Sequence, residues 1–170
     1  MTRNGKRRLI WAAVAAATLG GCNRIGQAER AHENVAAAKQ AIVADEQQWN
    51  QDFHSKNLSG LVNHYASDAV FVLPGMAAQV GTAEINNAYA GALKDPNFDV
   101  TFSSDRVDVA HSGDLAYSQG HFTMKGSDPK TKQVTTTAAG TYVTIYRKQE
   151  DGSWKAVQDW AAANPPGATK

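Results

Sequence analysis

The chain has a single cysteine, Cys22, in 170 residues. It cannot close an intrachain disulfide, so its fold must stand on an apolar core. No apolar run approaches the roughly 20 residues needed to span a bilayer. The sequence has no G-x-S-x-G, no phosphate-binding or dinucleotide fingerprint, and no H-x-H, H-E-x-x-H or Cys/His cluster. Those absences argue against nucleophilic and nucleotide chemistry, and they lead us to expect no metal and no cofactor. Charge of one sign is also missing: 17 Lys and Arg face 16 Asp and Glu, a formal net charge of +1. Internal repeats and low-complexity blocks are absent too.

What the N-terminus does contain is ordered by type. Arg3, Lys6, Arg7 and Arg8 form a basic segment, and Leu9 to Leu19 is an apolar stretch of eleven residues. That length fits the core of a signal peptide. The stretch closes on Leu19-Gly20-Gly21-Cys22, which resembles the lipobox of bacterial lipoproteins: an apolar residue, two small ones, then the cysteine that becomes the acylated N-terminus. The resemblance implies residues 1–21 as signal peptide, lipidation at Cys22, and a membrane tether, since each buried CH₂ contributes ~0.8 kcal/mol. Asn23 stands where the inner-membrane retention signal usually has Asp, which points to the outer membrane, facing the periplasm. Loss of residues 1–21 removes four positive charges and no negative ones, moving the balance from +1 to −3. A mildly acidic domain without a basic patch is not expected to bind nucleic acid. Residues 22–31 read as a polar tether, 32–165 as one domain with a single core, and 166–170 as a tail.

Within the domain the pattern is helical from about Ala31 to His54. Val35, Ile42, Trp49 and Phe53 share one face, with Glu46 on the same stripe. A short helix starts after a cap at Asn57, with Leu58, Leu61, Val62 and Tyr65 at helical spacing. Ala69 to Leu73 reads as a strand covered on both faces, stopped by Pro74-Gly75. A third helix follows a cap at Thr82, striped by Ile85, Ala88, Tyr89 and Ala92. Then the period changes. Phe98–Ala110, Leu115–Lys125, Val134–Arg147 and Trp154–Ala163 are long strands separated by short turn sequences, which specify antiparallel hairpins. Helices before a four-strand meander give an α+β class, with three N-terminal helices on a strongly bent antiparallel sheet.

This order, with Trp49, the Tyr65-Ala66-x-Asp68-Ala69 turn and Asp151-Gly152-x-Trp154, resembles the NTF2-like superfamily and within it the SnoaL-like and DUF4440 group. The resemblance implies a cone: a bent sheet wraps a long helix around a cavity, with homodimers through the outer sheet face. The superfamily includes ketosteroid isomerases, whose aspartate base precedes the proline ending the first strand; Leu73 stands there. Their oxyanion tyrosine corresponds by spacing to Trp49. Neither residue can exchange a proton at neutral pH, so that route is closed.

The expected ligand-contacting residues are Trp49, Phe53, Tyr65, Phe71, Tyr89, Phe122 and Trp160, and the expected ligand is a small hydrophobic molecule. Asp159 is the candidate acid or base, because a carboxylate in mid-strand is costly unless it is partnered or functional. Glu46 and His121 are the candidates to work with it, in a lyase, isomerase or hydrolase. His54 and His64 read as surface residues. The leading expectation is a tethered binding domain without catalysis; the others are that enzyme and a dimerisation module.

Overall fold

The computed structural model describes residues 19–73 and 75–165. The basic segment, most of the apolar stretch, Pro74, the tail and the Cys22 side chain lie outside the described residues.

Helix α1 (Leu19–His54) begins well before Ala31. Ala38, Ile42, Glu46, Trp49 and Phe53 are buried along one side, at the spacing of a single helical face. Helix α2 (Leu58–Asn63) starts at the predicted cap, where the Asn57 side chain accepts from the Gly60 amide. Tyr65 does not continue this helix. It opens strand β1 (Tyr65–Val72), which begins earlier than predicted. A two-residue strand β2 (Gln79–Val80) folds back on β1. Helix α3 (Gly81–Ala92) is capped differently from the expectation at Thr82. Val80 is its N-cap, and the Glu84 carboxylate accepts from the Val80 amide at 2.7 Å. Strands β3 (Asp99–Val109), β4 (Leu115–Ser127), β5 (Val134–Lys148) and β6 (Trp154–Ala163) follow, close to their predicted bounds.

The sheet order is β2-β1-β6-β5-β4-β3. Strands β3 to β6 form the expected antiparallel meander, but the sheet as a whole is mixed: β1 joins the free edge of β6 in the parallel sense. The connection between these two parallel neighbours is long, as it must be: it runs through β2, α3 and the strands β3 to β5, with α3 carrying the chain from one side of the sheet to β3 at the opposite edge. Two helices precede β1 and the third follows it, so all three lie ahead of the meander but not ahead of the whole sheet.

Curvature comes from interruptions in the ladders. Register shifts lie between Ser104 and Arg106, between Met124 and Lys125, and between Ile145 and Tyr146. Each extra residue bends its strand. Gly120 and Gly140 occur where strands approach too closely for a side chain: a Cβ on Gly120 would strike the Ser103 carbonyl, and one on Gly140 the Ala162 carbonyl. Helix α1 packs on β3, at the sheet edge. There the Asn50 side chain donates to the Phe102 carbonyl (3.0 Å) and accepts from the Phe102 amide (2.9 Å), pairing that edge as a neighbouring strand would. Ile42, Leu61, Ile85 and Tyr146 are fully buried between helices and sheet. Full burial of such side chains contributes about 1.5–3 kcal/mol each.

Candidate functional site

The helices and the concave sheet face enclose a cavity of about 70 Å³. Its walls are apolar: Phe53, Phe71, Leu73, Phe98, Val100, Phe102, Phe122, Met124 and Ala161 line it, with Trp49, Tyr89, Tyr142, Thr144 and Asp159. A second hollow of about 230 Å³ adjoins it, sharing Phe71, Leu73, Tyr89, Phe98, Phe122 and Met124 and adding Met76, Ala88, Ala92 and Ala138.

One bulge decides what the last strand presents. Tyr146 pairs with Ala156, whereas Ile145 pairs with Gln158, so Val157 is an extra residue on β6. Before it, Trp154 and Ala156 are buried. After it the inward positions become Asp159 and Ala161, which line the cavity. Trp160 is turned to the opposite face, where it is 53% exposed and its indole N–H donates to Gln158. The expectation that Trp160 faces inward is therefore corrected: an unbroken alternation would have put it there, and the bulge inverts it.

Asp159 is held by two hydroxyls. Tyr65 Oη donates to its Oδ2 at 2.7 Å and Thr144 Oγ1 to its Oδ1 at 3.0 Å. These bonds favour the carboxylate, yet desolvation is the larger effect and, with the negative charge of Glu46, raises the carboxyl pKa to about 6. Tyr65 in turn meets Tyr89, Oη to Oη at 2.7 Å. Burial, and then the Asp159 charge, hold both phenols well above their ordinary range. The Trp49 Nε1–H is buried near the Tyr89 oxygen without reaching hydrogen-bond geometry, and has no partner among the described residues.

Of the predicted ligand-contacting residues, Trp49, Phe53, Phe71, Tyr89 and Phe122 lie on the cavity wall. Tyr65 stands behind it as the support of Asp159. Leu73 lines the wall at the end of β1, apolar as the sequence indicates. The two predicted companions of Asp159 are not brought to the cavity. Glu46 is buried one side chain behind the wall, where it accepts from Tyr142 at 3.3 Å. Burial chiefly raises its pKa, opposed by hydrogen bonds from Ser118, Ser104 and Tyr142. His121 projects from the outer face of β4 and pairs with Asp105 at 2.6 Å, because its neighbours Gly120 and Phe122 take the inward positions.

His64, expected at the surface, is 5% exposed. Its Nδ1 meets Asp45 at 2.8 Å, its Nε2 meets Asp52 at 3.0 Å, and its ring stacks on Trp49 with centroids 4.7 Å apart. Both ring nitrogens face carboxylate oxygens. This cluster fixes the indole that forms part of the cavity wall. Its spacing on α1, Asp45 and Asp52 flanking Trp49, was visible in the sequence, but nothing local said that His64 would close on them. Thr144 and Tyr142 were also missed; their inward alternation with Tyr146 on β5 was the available signal.

Comparison with known proteins agrees with this architecture. A model of the SnoaL-like domain matches residues 47–157. No curated protein shows significant similarity to the chain. Among solved structures, a ketosteroid isomerase-like protein from Erwinia carotovora atroseptica is similar at 23% identity and a TM-score of 0.64, over 75% of this chain and 96% of its own. An NTF2-like protein with a cystatin-like fold from Novosphingobium aromaticivorans is similar at 16% identity and a TM-score of 0.65, over 88% and 94%. An NTF2-like superfamily protein from Salmonella enterica serovar Typhimurium gives 14% identity and a TM-score of 0.64, over 78% and 95%. At these identities the likeness is one of fold. With the helices, the bent six-stranded sheet and the match over most of the domain, the chain belongs to the SnoaL-like domain family of the NTF2-like fold.

Proposed function

We propose that the cavity takes a small, largely hydrophobic molecule and that Asp159 moves a proton to or from it, as in an isomerase or lyase. The observation that carries this reading is Asp159 itself: among the described residues the one carboxyl group on the cavity wall, braced by Tyr65 and Thr144, with burial raising its pKa to about 6. A general base with a pKa near the working pH combines availability of the carboxylate with useful basicity. The isomerase-like relative carries a name in keeping with such chemistry, though its identity to this chain supports the fold alone. The position before Pro74 is still unused, because Leu73 cannot take a proton. The acid or base has moved to the last strand.

A suitable test uses exchange of the α-hydrogens of cyclohexanone in D₂O, followed by NMR, with the protein and with Asp159→Asn. Exchange faster than buffer that disappears in the variant supports proton transfer. Exchange equal to buffer in both proteins defeats it. A second reading, binding without turnover, is favoured by the apolar wall and by Leu73 and Trp49 at the isomerase positions. Mass spectrometry of molecules retained on the purified protein tests it.

The wider proposal is a lipid-anchored periplasmic domain acylated at Cys22, placed at the outer membrane, in the DUF4440 group and assembled as a homodimer. The anchor and its location rest on the basic segment, the apolar stretch and Leu19-Gly20-Gly21-Cys22 with Asn23 after it; the group and the dimer rest on the family resemblance of the domain. The intact mass of the protein from a membrane fraction tests the anchor: an N-terminus at Cys22 carrying acyl chains is expected, and an unmodified cysteine contradicts it. Light scattering tests the dimer.

A further inference from the structure

Asp159, Tyr65 and Tyr89 form a chain of hydrogen bonds from the last strand through the first to helix α3, with Thr144 as a side branch at Asp159. A phenol has one hydrogen to donate. With Asp159 ionised, Tyr65 spends that hydrogen on Oδ2. The bond between the two phenols must then be donated by Tyr89, so Tyr89 has no hydrogen left and can offer a ligand only a lone pair. With Asp159 protonated, its hydroxyl can donate to Tyr65, Tyr65 can turn its hydrogen to Tyr89, and Tyr89 is free to donate. Thr144 keeps its bond to Oδ1 in either state.

We propose that Tyr89 sets the polar specificity of the cavity, and that the charge on Asp159, passed through Tyr65, reverses it: a hydroxyl-bearing ligand is preferred when Asp159 is ionised, a carbonyl ligand when it is protonated. This inference rests on the pocket reading above and names the ligand's polar group. The geometry favours it. Asp159 and Tyr89 both line the cavity, and among the described residues the polar link between them runs through Tyr65. The unpartnered Trp49 N–H beside Tyr89 marks the same place as under-satisfied. The remainder of the wall is mostly apolar, so one polar end of a ligand would be directed here.

The charged and titratable groups around the relay are few. Glu46 approaches from α1, Tyr65 from β1, Tyr89 from α3, and Tyr142 and Tyr146 from β5. Asp45, His64 and Asp52 lie beyond Trp49. Strands β3 and β4 contribute Phe98-flanked apolar wall, with no titratable lining residue. The phenols are held neutral by burial, so Asp159 is the group of the relay whose proton changes in the range where the domain is to be assayed.

The test measures dissociation constants of phenol, a strong donor, and cyclohexanone, an acceptor only, at pH 4.5 and pH 8. Wild type, Tyr65→Phe and Asp159→Asn are compared, with toluene as an apolar control. In wild type the affinity ratio of phenol to cyclohexanone is expected to rise about tenfold between the two pH values, the scale of one charge-linked hydrogen bond. Tyr65→Phe leaves Asp159 in the cavity but cuts the relay, so the ratio becomes nearly independent of pH; Asp159→Asn does the same. A ratio that keeps its full pH dependence in Tyr65→Phe overturns the relay and means that Asp159 contacts the ligand directly. Dependence persisting in Asp159→Asn overturns it by assigning the titration elsewhere. Should Tyr65→Phe fold poorly by near-UV circular dichroism, Tyr89→Phe removes the end of the relay and carries the same expectation. Failure of toluene and both polar probes to bind defeats the pocket reading itself, and the relay with it.

Discussion

Replacing Asp159 with Asn should stabilise the domain at pH 8 and much less at pH 4. In the folded protein the carboxyl pKa is about 6 against an ordinary value of 3.8. Between those values the folded state holds a proton that the unfolded chain has released, so stability falls as pH rises. The proton-linked stability is fully present below 3.8 and is lost as pH rises through about 6. At ~1.4 kcal/mol per pH unit, the gap corresponds to roughly 3 kcal/mol as an upper figure, since the side chain is only partly buried. Asn carries no charge, keeps an acceptor for Tyr65 and occupies nearly the same volume. Urea unfolding of both proteins at half-unit steps from pH 4 to pH 8 gives the difference directly. The wild-type stability relative to the variant should decline through this interval and level off above about pH 7. A difference that stays flat, or one that grows in favour of wild type with rising pH, would show that burial does not dominate at Asp159. The reasoning for its role as acid or base would then fail.

Other expectations follow from the same contacts. His64→Ala takes one partner from buried Asp52, which keeps Asn57 and Gln48 on its other oxygen, and removes the stack under Trp49, so chemical denaturation should show a loss of about 2 kcal/mol. Gly120→Ala should lower stability by at least ~1 kcal/mol, because the methyl group meets the Ser103 carbonyl; thermal unfolding reads it, and an unchanged midpoint contradicts the close approach. Ala161→Leu pushes three more carbons into a cavity of about 70 Å³, so binding of toluene should be abolished while the fold persists. Trp160→Ala, on the outer face, should leave toluene affinity within twofold of wild type.

Much of the architecture could be read from local pattern. The four long strands have strong period and explicit turns, and Asn57 announced α2 by a cap with a simple mechanism. The boundary at Tyr65 was harder. Its spacing from Leu58 and Leu61 fits a helix, and only pairing with Ala156 makes it the first residue of a strand. The parallel docking of β1 on β6 had the same cause, since it joins segments far apart in the chain. At the site, the apolar wall residues were found because bulky side chains at inward period have few other uses. Trp160 was misplaced and Asp159 left undecided by one extra residue, Val157. His64 was misjudged because its burial depends on two carboxylates from another helix.

By itself, the sequence determined the α+β order, the amphipathic face of α1, the hairpins, and the apolar residue at the end of the first strand. These follow from interactions between neighbours a few positions apart, which periodicity and turn chemistry record. Only the tertiary structure decided that Asp159 faces the cavity, that Glu46 and His121 do not, and that two tyrosines connect Asp159 to the far wall. The physical reason is that a side chain's face depends on strand register, and register is set by partners distant in sequence. A single bulge inverts it without changing the local pattern of hydrophobicity.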